Sequence, residues 1–171
     1  MFTAILNRFS DWVTGSWLNL AIAGHDWVVP ALQTIHILSV AVALSGVLLI
    51  NLRVIGWAER TQPVRAVLDR FLWPVTFAVL VLLLTGILQI IGEPNRAIFR
   101  AIFWWKMGLL VAALALTWSQ RPVFAGDDGA QAIVARPASK LVALVALLAW
   151  IAVVVAGRWI AYADPWPGAP S

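Results

Sequence analysis

The sequence predicts an all-α membrane fold, an antiparallel bundle of four transmembrane helices with an amphipathic N-terminal helix on the interface. Three observations carry this reading. Of the 171 residues, 62% are hydrophobic and only 12% charged, against about 25% charged in a typical soluble domain. So few charges cannot coat a water-facing surface, and lipid is the solvent such a surface suits. Charge-poor stretches recur at the length a spanning helix needs, about 20 residues to cross roughly 30 Å of hydrocarbon at 1.5 Å per residue. There are also eleven Trp residues, whose indoles favour the membrane–water boundary.

Residues 1–24 form the amphipathic segment. Phe2, Ile5, Leu6, Phe9, Trp12 and Val13 recur at spacings of three and four, a pattern suited to lying on the interface, with Gly15 and Gly24 as punctuation. Arg8, Asp11, Asn19, His25 and Asp26 interrupt this region, so it does not read as a cleaved signal peptide. The four-helix domain is expected over 27–163. The first span, about 28–54, lies between Asp26 and Arg53, with Pro30 in its first turn, where the missing N–H costs nothing. The second, about 70–92, carries LVLLLTGILQII between Arg70 and Glu93.

The third span is the informative one. Only fourteen uncharged residues separate Lys106 from Arg121, about 21 Å of helix and too short to cross. The apolar pattern continues back through AIFRAIFWW, so a helix over about 98–120 is expected, with Lys106 inside the membrane zone. Its long stem lets the ammonium reach toward the surface. The fourth span, about 138–163, is extended by Trp159, Ile160 and Tyr162 as an aromatic belt. Residues 121–138 are the longest loop, with a Gly-Asp-Asp-Gly turn signal. Glu59, Asp127 and Asp128 belong to loops in water, and 164–171 to an irregular tail.

Basic residues set the orientation. The loops after the first and third spans, with their flanks, hold Arg53, Arg60, Arg65, Arg70, Arg121, Arg136 and Lys140, against Arg8, Arg96, Arg100, Lys106 and Arg158 on the other side. Seven against five, with four Arg in the eighteen residues after the first span, places both termini outside. The expected location is a bacterial inner membrane, with periplasmic termini.

Polar groups inside the membrane are costly, so function is sought there. With His36 as zero on a helical wheel, Gln33, Ser39 and Asn51 lie within about 60° and Ala43 near the centre of the same stripe. His36 is about 9 Å below Pro30, in the outer half of the bilayer. An up-and-down bundle brings Thr85 and Gln89 of the second span, Trp104 and Lys106 of the third, and Arg158 and Tyr162 of the fourth to the same half. Plainer roles compete with this one. A lone membrane His often bonds a neighbouring helix, Lys106 and Arg158 can reach the headgroups, and Arg53 suits a topology anchor at the inner helix end. Gly46 and Gly86 suit helix packing, and most Trp residues suit the belt.

Much chemistry is excluded. The absence of Cys removes disulfides, thiolate metal sites and Cys nucleophiles. Two His residues, His25 and His36, do not make a multi-histidine metal centre. No nucleophile motif, phosphate loop or paired carboxylate lies in the spans, so an enzyme is not expected. The net charge of +4 and pI near 10.7 sit beside apolar segments, which points to anionic lipid headgroups and not to nucleic acid.

The run WVVPALQTIHILSVAVALSGVLLINLRVIGW, followed by FAVLVLLLTGILQ and FWWKMGLLVAALAL, resembles a family of small bacterial four-helix membrane proteins of unknown function (the DUF6644 type). The resemblance covers roughly residues 27–120 and rests on Pro30, Gln33, His36, Gly46, Leu52, Arg53, Gly56, Gly86 and Lys106. It is more distantly similar to the membrane domain of the CopD copper-resistance proteins. The smaller family implies no activity; the copper link implies metal handling on the periplasmic side. With Met1 and Met107 as the only thioethers and no Cys, the chain departs from what Cu(I) prefers.

Three functions compete. The first is a small polar site around His36 for a metal ion or a small polar ligand, in a binding or transport-accessory protein; a cationic Lys106 beside it favours an anion or headgroup over a metal. The second is a redox subunit with His36 as an axial ligand to haem b or at a quinone site; a second in-membrane His is missing, which leaves a single-His haem or a His–Met haem with Met107. The third is a structural helper in a homo-oligomer or larger membrane complex.

Overall fold

The helices arise where the apolar stretches predict them, and their ends are set by local chemistry. The computed structural model describes residues 2–58, 61–120 and 136–165, which form helices and connections without strands. In order these are α1 (Phe2–Val13), α2 (Trp17–Ala23), α3 (Val28–Ile55), α4 (Val64–Gly92), α5 (Pro94–Ile98), α6 (Ala101–Ser119) and α7 (Pro137–Trp159). Helices α3, α4, α6 and α7 are each long and apolar enough to cross a membrane. The chain is a multi-pass membrane protein.

Gly56 ends α3 in the left-handed region at φ 89°, its N–H donating to the carbonyls of Leu52 and Arg53. Only Gly takes that conformation freely, which makes it a standard helix stop. Helix α4 starts at Val64 behind Pro63, earlier than residue 70. Its first two turns are amphipathic: Val64, Val67 and Leu68 are buried, while Arg65 and Asp69 form an exposed i,i+4 pair at 3.6 Å. A charge-free window misses such turns because the charges sit on one face. At its other end, Glu93 leaves the helical region (φ −135°, ψ 66°), since the residue before a Pro is disfavoured there, and Pro94 opens α5 from its first turn.

The third span also begins later than residue 98. Arg100 is extended (φ −110°, ψ 128°), so Pro94–Ile98 is a separate short helix and the span restarts at Ala101. Its 19 residues make about 28 Å of helix. The fourth span ends at Trp159, and Ile160 to Ala163 form turns. The Gly-Asp-Asp-Gly segment, Glu59 and the last six residues lie outside the described residues.

Packing is sequential but not closed. Helix α4 lies along α3, α3 against α7, and α7 along α6, whereas α4 and α6 barely approach. The mid-bundle core is Val47, Ala113, Trp150 and Val153, with Val75 and Val79 of α4 against it. A second apolar cluster, Ile50, Val54, Val64, Leu68 and Ala143, closes the end that holds the α3–α4 connection.

The N-terminal segment is two helices hinged at Gly15 (φ 83°). It is fastened across the end of the bundle where the described termini emerge. Leu6 is buried with Ile98, Phe99 and Phe103, and Ser10 Oγ donates to Asn95 Oδ1 at 2.6 Å. Asn19 Nδ2 donates to the carbonyl of Ile91 at 2.7 Å and reaches that of Gly92 at 3.3 Å, satisfying carbonyls the end of α4 leaves open. The other face of these helices exposes Ile5, Phe9, Trp12, Trp17 and Leu20, as interfacial helices do.

Candidate polar site in the bundle

His36 is eight residues into α3 and Thr85 seven residues from the end of α4, so antiparallel packing puts both about 10–12 Å below the same end. The imidazole Nδ1 lies 2.7 Å from Thr85 Oγ1. That hydroxyl has one proton, and it is given to the Val81 carbonyl at 2.7 Å, the usual back-bond of a helical Thr. The proton between the two side chains therefore belongs to the ring. Nδ1–H donates to Oγ1, and Nε2 keeps its lone pair. Gly86 lies beside the ring, where a Cβ would meet His36 Cε1 at an ordinary contact distance of 3.7 Å.

Lys106 enters from α6. On that helix it shares a face with Phe103, Leu110 and Ala113, two of which are buried, whereas Trp105, about 100° round the helix, is 71% exposed. The stem crosses α7 at Gly157, where a Cβ would lie 3.4 Å from Cε and 3.5 Å from Nζ. The ammonium thus lies toward the same end of the bundle as His36. Among the described residues Lys106 has neither an ion-pair nor a hydrogen-bond partner. His36, Thr85 and Gly86 thus meet between α3 and α4, and Lys106 and Gly157 between α6 and α7, toward the same end of the bundle.

The remaining candidates lie elsewhere. Gln33, one turn above His36, lines a separate cleft with His25, Asp26, Glu93 and Arg96. Gln89 Nε2 donates to the Thr85 carbonyl of its own helix at 3.3 Å. Trp104 is 38% exposed and its Nε1 donates to the Ile98 carbonyl at 3.0 Å. Arg158 donates to Tyr162 Oη at 2.7 Å and its guanidinium lies over the ring at 5.1 Å; both side chains are exposed. Arg53 clamps the α3–α4 connection by donating Nε and Nη2 to the Gln62 carbonyl at 3.0 and 2.8 Å. Gly46 lets α4 approach α3, since a Cβ there would collide with Val75 Cγ2.

Among the described residues no three His, Cys, Asp or Glu side chains gather as a metal centre. Met107 packs against the Leu6, Ile98, Phe99 and Phe103 cluster. Gly157 and the charged cleft escape the sequence reading. A glycine next to Arg158 near the end of an apolar helix is the one signal that points to the first; the cleft joins two stretches sixty or more positions apart and leaves none.

A second polar group sits toward the opposite end. Asn51 and Gln120 are both buried, with Gln120 Nε2 at 3.5 Å from Asn51 Oδ1. Trp150 Nε1 donates to Thr117 Oγ1 at 3.1 Å. These bonds tie α3 to α6 and α6 to α7, and the apolar mid-bundle core separates them from His36.

No curated protein and no solved structure matches the chain. The model of a family described as of unknown function (DUF6644) matches residues 9–163. The chain therefore belongs to the DUF6644 family.

Proposed function

We propose that this protein binds a small anionic or polar head, free or lipid-borne, between its four spans at His36 and Lys106, as a binding or transport-accessory protein. One observation carries the reading: the Lys106 stem is laid across α7 at Gly157, in the same half of the bundle as His36, with no carboxylate among the described residues paired with it. An intramembrane cation without a counter-charge is costly, and an anionic group supplies that charge. The Nε2 lone pair accepts a hydrogen bond from a hydroxyl or protonated oxygen of the same group. A metal cation fits poorly here, since the ammonium repels it and the donors do not gather. The haem reading loses its second axial candidate, because Met107 lies in an apolar cluster. On the arginine bias after the first span, we place both termini outside a bacterial inner membrane.

The test is thermal unfolding of the purified protein with inorganic phosphate, short-chain phosphatidylglycerol, or copper and zinc salts. Phosphate or the anionic lipid should raise Tm in the wild type, by mass action on the native state. Lys106→Met should remove that rise. An anion-independent Tm, a rise that persists in Lys106→Met, or a metal-induced rise that needs His36 contradicts the proposal.

A further inference from the structure

A second site lies at the rim of the same end, outside the hydrocarbon. The corner between α2 and α3 faces the corner between α4 and α5 across a cleft of about 350 Å³, walled by Val29 and Pro30 and lined by His25, Asp26, Gln33, Glu93 and Arg96. Its open hydrogen-bonding groups are acceptors on one side and the Arg96 N–H donors on the other. The His25 Nδ1 lies 3.2 Å from the Ala21 carbonyl; a carbonyl only accepts, so Nδ1 donates there, and in that tautomer Nε2 is the acceptor. The side chains of Asp26 and Gln33 have no hydrogen-bond or ion-pair partner among the described residues. Glu93 spends Oε2 on Arg96 Nη1 at 3.0 Å, leaving its other oxygen and the remaining Arg96 N–H groups open.

We infer that this cleft holds a zwitterionic phospholipid headgroup bearing a primary ammonium, the phosphatidylethanolamine class. A primary ammonium has three N–H donors, which match the Asp26 carboxylate, the free Glu93 oxygen and His25 Nε2. The adjoining phosphate matches the open N–H groups of Arg96. A quaternary ammonium has no N–H to give, so a choline headgroup leaves those acceptors unmet. Position argues for a lipid over a dissolved amine: the cleft sits at the helix ends, where headgroups lie, beside Trp17 and Trp27, which are 79% and 69% exposed as interfacial indoles are.

This site is separate from the His36–Lys106 pair, and its test is chosen so that the two fail independently. The protein is placed in nanodiscs of equal phosphatidylethanolamine and phosphatidylcholine with the same acyl chains, then released in mild detergent. Retained lipids are counted by native mass spectrometry. The ethanolamine lipid should be retained over the choline lipid by roughly fivefold, the factor expected of an exposed charge-assisted contact. Asp26→Asn should bring the ratio close to one, while Asp69→Asn at the opposite end leaves it unchanged. Equal retention by the wild-type protein, or a preference that survives Asp26→Asn, overturns the inference.

Discussion

At the scale of residues, the chemistry turns on where one proton and one stem are held. The Thr85 hydroxyl, committed to the Val81 carbonyl, makes the His36 ring a donor at Nδ1 and an acceptor at Nε2. Gly157 holds the Lys106 stem across α7, inside the bundle and off the lipid face. We predict that Gly157→Val, whose branched side chain occupies that notch, expels the stem. Labelling by a water-soluble amine reagent should then rise at Lys106 relative to Lys140, the only other lysine. An unchanged ratio means the ammonium already lies at the surface. His36 and Lys106 were legible because each is a polar group in an apolar helix. Depth could be counted along the chain, but rotation could not. Trp104 is two residues from Lys106 and therefore about 200° around the helix, which turns it outward at the same depth. Arg158 and Tyr162 find one another on the outside, a pairing that depth alone does not foresee.

At the scale of elements, one close approach sets the bundle. Helix α4 can lie against α3 because Gly46 presents no Cβ to Val75, and small residues are how membrane helices gain contact without a hydrophobic drive. Gly46→Val should destabilise the protein by about 1–3 kcal/mol through overpacking, read as a lower midpoint in detergent-denaturation titration. Gly108→Val, where a Cβ meets nothing within 4 Å, should change stability by less than about 0.5 kcal/mol. Equal effects contradict the close approach. The spans themselves were legible from length and charge alone. Their ends were not. The first turns of α4 hide charges on one face of a packed helix, and the break at Arg100 comes after the buried Phe99, where α5 turns into α6. Neither leaves a mark in a count of uncharged residues. That the N-terminal helices bond to the ends of α4 and α5 depends on Ser10–Asn95 and Asn19–Ile91, pairs far apart in sequence.

At the scale of the whole molecule, four spans in the order α4, α3, α7, α6 surround a polar site near one end and an apolar core at mid-depth. The N-terminal layer and the α5 corner cover that end and build the charged cleft on its rim. The central claim is that the fold carries His36 and Lys106 to one place while turning Trp104 away from it. The chain has no Cys, so pairs of cysteines can be introduced without background. The decisive measurement is short-reach thiol crosslinking in membranes of His36→Cys with Lys106→Cys, compared with His36→Cys with Trp104→Cys. Efficient crosslinking of the first pair and little of the second is the result predicted. Crosslinking of the second pair alone, or of neither, would contradict it.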